Sequence, residues 1–370
     1  MPLPWTPSVR VGGLLALVAG MVVAAEARGP WKEASPDRPV VLPADHASHP
    51  DYKLEWWYYT GNLDAAGGQR FGYQLTFFRI GVDPAPVNPS RWAVRDLYMT
   101  HLALTDVSGR TYRFTERMNR AGPGWAGASP TKYRVWNEDW SASRNTRGVH
   151  HLAARSDAFG LDLSLDENRP AVLHGDHGYS RKGAAPANAS HYYSLTRMPT
   201  TGTITVAGRP FAVTGQSWMD HEFGTSFLEP DQVGWDWFSI QLEDGRDLML
   251  FQLRRKDGSI DPRSSGTLVE RDGTAVPITL ANGFRLDPGR TWTSPASGAH
   301  YPLAWTVRLP SAGLEFLVTA AVDDQELRAA QGSGVTYWEG VIDVRGRGVK
   351  GRGYLEMTGY AGAPMGRFLR

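Results

Sequence analysis

The chain has 370 residues and a formal net charge of +1 without a long run of one sign, so it offers no electrostatic case for nucleic acid or an anionic membrane surface. It has no cysteine, which excludes disulfides, thiolate chemistry, Cys-ligated metals and a lipid-bearing lipoprotein cysteine. Its 14 Trp, 41 Gly and 25 Pro combine many aromatics with many turn formers, a composition that predicts short antiparallel strands.

In chain order, Arg10, the apolar run at residues 11–25 and the A-x-A pattern Ala25-Glu26-Ala27 read as an export signal over residues 1–27. The run spans 15 residues, short of the roughly 20 that a membrane-spanning helix needs. Cleavage near Ala27 makes the mature protein periplasmic or secreted, and retention as an anchor is the alternative. Residues 28–50 are Pro-rich and polar, an irregular lead-in. Strands then begin: "EWWYYTGNL" breaks at "DAAGGQ" and resumes as "RFGYQLTFFRI", a hairpin signal. Residues 94–114 repeat the design. No amphipathic helix longer than a few turns is predicted, and "DDQELRAAQ" (residues 323–331) is the best short helical candidate.

Two internal repeats organise the chain. Residues 234–255, "GWDWFSIQLEDGRDLMLFQLRR", follow the plan of residues 55–79, with Trp237 matching Trp57 and Gln252 matching Gln74. Residues 202–219 and 340–357 align without a gap at an offset of 138, sharing Gly208/Gly346 and Met219/Met357 among others. The chain therefore reads as two tandem β-domains, 51–229 and 230–370, each opened by the Trp hairpin and closed by the second one. Closed barrels would remove exposed sheet edges, and a sandwich is the alternative that periodicity does not separate.

"SWMDHEFG" (residues 217–224) ends the first domain, and the second copy has Thr358, Gly359 and Tyr360 where the first has Asp220, His221 and Glu222. The acid–His–acid cluster is thus additional to the hairpin, and it falls where two domains meet, a favoured place for a pocket. In a regular strand Asp220 and Glu222 point one way and His221 the other, so the triplet does not chelate one ion. The remaining histidines show no H-x-H or H-E-x-x-H spacing, and neither a metal nor a cofactor is expected. A carboxyl walled by Trp218, Phe223 and Trp235 would be pushed up by desolvation and could act as a general acid. From the residues alone the favoured reading is structural, an interdomain hydrogen-bonded cluster with Asp220 and Glu222 binding backbone amides.

The aromatic strands supply candidate ligand-binding residues: Trp56, Trp57, Tyr58, Trp218, Trp235, Trp237 and Gln241. Trp235, Trp237, Ser239 and Gln241 share one strand face and Phe238, Ile240 and Leu242 the other. Such a face suits a cavity wall, or equally the filled interior of a small barrel. "YWEG" and "RGYLEMTGY" add Tyr337, Glu339 and Glu356. "HGDHGYSRKG" (residues 174–183) is polar and Gly-rich, a loop that could gate a cavity.

The motifs "HPDYKLEWWYYTGNL", "RFGYQLTFFR", "GYSRKG", "HYYSLTRM", "GQSWMDHEFGTSFL" and "YWEGVIDV…GRGYLEMTGY" resemble the AttH-like family, grouped with hydroxyneurosporene synthase (carotenoid 1,2-hydratase). The resemblance runs from about His49 to Tyr360 and implies two tandem lipocalin-like (calycin) antiparallel β-barrels. It also implies a chemistry: an acid protonates an alkene, aromatic faces stabilise the cation and a positioned water adds, with Asp220, His221, Trp235 and Trp237 available for those roles. Three functions fit the sequence, and the first is the one it is read as. One is an exported protein that binds an apolar small molecule or lipid near the domain junction, with an envelope transporter as a further candidate partner. The second is a cofactor-free hydratase, or a secreted hydrolase, using Asp220 as general acid. The third is a structural envelope protein whose barrels are filled solid.

Overall fold

The computed structural model describes residues 31–88, 90–281, 283–329 and 334–362, so the export signal at residues 1–27 lies outside the described part. Within it, the regular elements are antiparallel strands and two single-turn 3-10 segments, Ala44–His46 and Pro310–Ala312. Eight long strands carry the argument: β1 (Leu54–Ala65), β2 (Arg70–Gly81), β3 (Ala189–Val206), β4 (Arg209–Ser226), β5 (Gln232–Leu242), β6 (Asp247–Arg255), β7 (Thr336–Gly346) and β8 (Val349–Met357).

They sit at the centre of two large sheets, of 13 and 10 strands among the described residues, in the orders β2-β1-β4-β3 and β6-β5-β8-β7. In each, the opening hairpin pairs with the closing one, so distant segments meet and the sheet curls. The first sheet is a nearly closed barrel whose end strands, Thr111–Arg120 and Ala126–Ala128, touch. The second is a half-barrel. The chain is therefore all-β with a two-domain, lipocalin-like architecture.

Both sequence repeats recur as hairpins, but their residue-by-residue matches do not. The turns of the closing hairpins place Gly208 and Gly348, not Gly346, at left-handed positions (φ 78° and 70°) that a side chain resists. Trp57 stands opposite His221 inside the first barrel, whereas Trp237 stands opposite Glu356 and faces the first domain. Strand faces alternate, so a repeat match displaced by an odd number of residues exchanges inside for outside.

Residues 330–331 of the predicted helical segment lie outside the described part, and within the rest Glu326–Arg328 is a strand, paired with β7 through Leu327 and Tyr337. Glu326 accepts hydrogen bonds from Ser294 and Tyr301, which hold the segment extended.

Three large buried clusters form most of the core among the described residues. One fills the first barrel, with Trp57, Tyr59, Phe77 and Met219. Another lies on the inner face of the second sheet, with Phe238, Ile240 and Leu242. The third lies between the domains, with Tyr58, Tyr192, Trp218, Trp237 and Tyr337. Residues Ser217–Gly224 of β4 are consequently buried on both faces, one against the barrel interior and one against the second domain. That double burial explains why the stretch shows no polar–apolar alternation.

A candidate acid chamber between the domains

Alternation along the paired strands builds the site. On β1, Trp57 and Tyr59 enter the barrel while Trp56 and Tyr58 face outward. On β4, Met219 and His221 point in, and Asp220 and Glu222 point out. The second domain covers this outer face with Trp235 and Trp237 from β5, Tyr337 and Glu339 from β7, and Glu356 from β8. Together they enclose a chamber with about 800 Å³ of atom-free space, counting its mouth. About 90 Å³ of it is open to the centre of a water-sized sphere, against roughly 10–15 Å³ for one water. It has room for a multi-atom ligand.

Four carboxyls line this aromatic space: Asp220, Glu222, Glu339 and Glu356. Asp220 accepts hydrogen bonds from Ser194 Oγ at 2.5 Å, Tyr192 Oη at 2.6 Å and Trp218 Nε1 at 2.6 Å. Burial nevertheless pushes its pKa up to about 7; the three donors pull it down, and the neighbouring Glu222 charge adds to the rise. Glu356 is also pushed up to about 7, by burial first, against the pull of Trp235 Nε1, which donates at 3.2 Å. Glu339 is the ladder partner of Glu356. Burial and then the Glu356 charge hold it well above the carboxylate range, although the Tyr58 and Tyr337 hydroxyls lie close enough to lower it. Neither Glu339 oxygen, nor Tyr58 Oη, completes a hydrogen bond of good geometry among the described residues.

Glu222 differs from its neighbours. It accepts from Ser190 and pairs with Lys182 Nζ at 3.2 Å. Lys182 is supplied by the "HGDHGYSRKG" segment and lies over the Phe251 ring at 4.3 Å, so that segment forms a wall of the chamber. His174, at its start, accepts or donates at both ring nitrogens, to Thr267 Oγ1 at 2.9 Å and Ser194 Oγ at 2.7 Å. The chain His174–Ser194–Asp220 fixes the carboxyl from behind.

Of the residues singled out in the sequence, Trp56, Tyr58, Asp220, Glu222, Trp235, Trp237, Tyr337, Glu339 and Glu356 line the chamber. Trp218 supports it through Asp220 and by an edge contact with Trp237. Three lie elsewhere. Trp57 stacks on His221 inside the barrel, and Gln241 clips the domains together through the Thr196 and Ser217 carbonyls. His221 faces away from Asp220, bonding Glu55 Oε1 at 2.9 Å and Tyr193 Oη at 3.0 Å.

His49, Glu55 and His221 bring three donor atoms within 4.8 Å of one another, a grouping that could hold a metal ion. Histidine spacing gave no sign of it, because β1, β4 and the lead-in converge only in the fold. Glu55 already carries the buried Arg79 guanidinium, with Nε at 3.1 Å, and both histidines bond its Oε1. The Arg79 guanidinium and the two histidines thus already engage both Glu55 oxygens. Tyr192, Phe78, Lys182 and Phe251 were not singled out as site residues. Only Lys182, in a Gly-rich segment, carried a usable signal.

The AttH-like family model matches residues 33–360. A crystal structure assigned to AttH from Nitrosomonas europaea is 34% identical, covering 89% of this chain and 99% of that one, with a TM-score of 0.81. Kievitone hydratase from Nectria haematococca has a TM-score of 0.67 at 16% identity, covering 86% of this chain and 93% of its own. CghA in complex with Sch210972 has a TM-score of 0.54 at 13% identity, covering 90% and 98%. At these lower identities the likeness is one of fold. No curated protein gives a significant sequence match.

Proposed function

The chain belongs to the AttH-like family, and we propose that it is a cofactor-free hydratase that adds water across a carbon–carbon double bond of an apolar small molecule, such as a lipid or polyisoprenoid. The observation that carries this reading is the set of protonatable carboxyls in the aromatic chamber, with Asp220 and Glu356 both poised near pH 7. A protein that only binds an apolar ligand gains nothing from burying four carboxyls beside it, whereas acid–base catalysis needs groups tuned to the working pH. A hydratase among the fold neighbours supports the same chemistry.

In this mechanism the Asp220 O–H bond breaks as a C–H bond forms on the alkene. The resulting cation faces the rings of Trp237, Tyr58 and Trp235, whose π-faces favour positive charge. Water adds to the cation, and its proton passes to ionised Glu356. Return of that proton to Asp220 resets the site, and the sum is alkene plus water giving an alcohol. Hydration is redox-neutral, so the reaction itself calls for no redox cofactor.

The mature protein is periplasmic or secreted in this proposal, on the strength of Arg10, the apolar run and Ala25-Glu26-Ala27. Intact mass of protein purified from its native envelope should place the N-terminus near Arg28.

The function is tested with the lipids that co-purify with the protein, incubated in heavy-oxygen water. Wild type should place one heavy oxygen in the product. Asp220→Asn should lose about 100-fold or more in rate while quenching of tryptophan fluorescence shows the lipid still bound. Incorporation at the same rate in wild type and variant would refute the role of Asp220. Stoichiometric binding without incorporation would leave a carrier of apolar ligands.

A further inference from the structure

Beside the chamber lies a second, smaller cavity walled by Leu54, Ile80, Met99 and Val335. Trp56, Phe78 and Tyr337 line both spaces, so one aromatic partition separates them. The smaller one has about 420 Å³ of atom-free space counting its mouth, and about 30 Å³ open to the centre of a water-sized sphere. That is two or three times what a single water needs, and suits a short arm of a larger molecule.

Its walls are apolar with three polar exceptions. Glu55 and Arg79 are engaged with each other, with Arg79 Nε 3.1 Å from Glu55 Oε2. His101 is different: it is fully buried, and its Nε2 has no hydrogen-bond partner among the described residues. His101 Nδ1 lies 2.7 Å from Tyr337 Oη, and Gln74 Nε2 donates to the same Oη at 3.4 Å. When Tyr337 donates its proton to Nδ1, the imidazole's own proton lies on Nε2. Burial keeps the imidazole neutral, with its pKa lowered to about 3. In that tautomer Nε2 is a buried donor without a hydrogen-bond partner among the described residues, on a residue that lines an otherwise largely apolar cavity. Groups of this kind are costly in isolation and are seldom left unpaired in a native core.

We propose that this cavity is a subsite for a short arm of the chamber's ligand that ends in a hydrogen-bond-accepting oxygen, a carbonyl, ether or hydroxyl, received by His101 Nε2–H. The inference rests on the hydratase reading for the identity of the other end, and it names the substrate class. The substrate is an apolar molecule with an alkene beside Asp220 and an oxygenated arm that passes the Trp56–Phe78–Tyr337 partition. His101 is a specificity determinant here and takes no part in the proton transfers.

The probes are geranylacetone, an isoprenoid methyl ketone, and the hydrocarbon of the same skeleton without the ketone, each titrated by quenching of intrinsic tryptophan fluorescence. Wild type should bind the ketone about tenfold more tightly than the hydrocarbon. His101→Phe should abolish that preference and leave hydrocarbon affinity within about twofold. Met99→Trp, which fills the cavity without touching His101 chemistry, should weaken the ketone more than the hydrocarbon and so shrink the preference, with far-ultraviolet dichroism confirming the fold of both variants. A preference that survives His101→Phe and Met99→Trp, or one absent from wild type, would overturn the subsite. The heavy-oxygen assay keeps the two ideas separate. Ketone preference without turnover sinks the hydratase reading alone, and turnover without preference sinks the subsite alone.

Discussion

Asp220 keeps its proton to about pH 7 although three donors point at it, because removing a carboxylate from water outweighs what those donors return. The unfolded chain releases this proton near the ordinary value of 3.8, and the folded chain only near 7. The contribution is thus fully present below about pH 4 and is lost as pH rises through about 7. Three pKa units correspond to about 4 kcal/mol at most. Asp220→Asn removes the dependence, so urea titrations at about pH 4 and about pH 8 should show the variant gaining on wild type by up to that amount. A gap that does not change with pH would mean Asp220 is ionised in the fold. Hydration should also fall as pH climbs above about 7, where the acid is spent.

At the scale of elements, the chamber exists because two sheets lie back to back at short range, and one glycine permits the approach. A Cβ on Gly72 in β2 would sit 1.9 Å from Val341 Cγ2 and 2.7 Å from Tyr354 Oη, side chains of β7 and β8. Gly72→Ala should therefore force the sheets apart. The cost expected from an overpacked core is about 1–3 kcal/mol, read as a lowered urea midpoint. Ligand affinity should fall with it, because Tyr337 on the same strand β7 forms the partition. The Trp57 and Trp237 strands show the converse lesson. Both are Trp-rich and both open a domain, but alternation delivers one ring to the barrel and the other to the chamber.

For the whole molecule, the domains are joined by charge as well as by aromatic surface. Asp247 of the second domain is fully buried and accepts from Arg197 Nη2 at 2.6 Å, Arg197 Nε at 3.0 Å and Thr196 Oγ1 at 2.9 Å, all from β3. Arg169 Nη1 completes the set at 3.3 Å. Arg70–Asp343 at 2.6 Å and Arg352–Asp64 at 2.7 Å add pairs at the rim. Removing one partner of a buried pair strands the other charge. With Thr196 and Arg169 still on Asp247, Arg197→Met should cost about 1.5–3 kcal/mol, and calorimetry should show wild type unfolding in a single transition that this variant lowers. Two separate transitions in wild type would show that the domains stand independently.

The sequence alone determined the strand class, the two hairpin repeats and the alternation that sends Asp220 and Glu222 one way and His221 the other. Each of these depends only on local periodicity and turn chemistry. It also marked the acids and most of the aromatic walls, because carboxyls set among tryptophans are conspicuous in one dimension. Tertiary structure alone decided which face of each Trp strand meets the chamber, since a repeat match carries no register and an odd slip reverses the faces. It likewise decided that Lys182 and Tyr192 join the acids, that His221 meets Glu55 and His49, and that His101 meets Tyr337. Those partners lie far apart along the chain, and only the pairing of first with last strands and the docking of two curved sheets brings them within hydrogen-bond range.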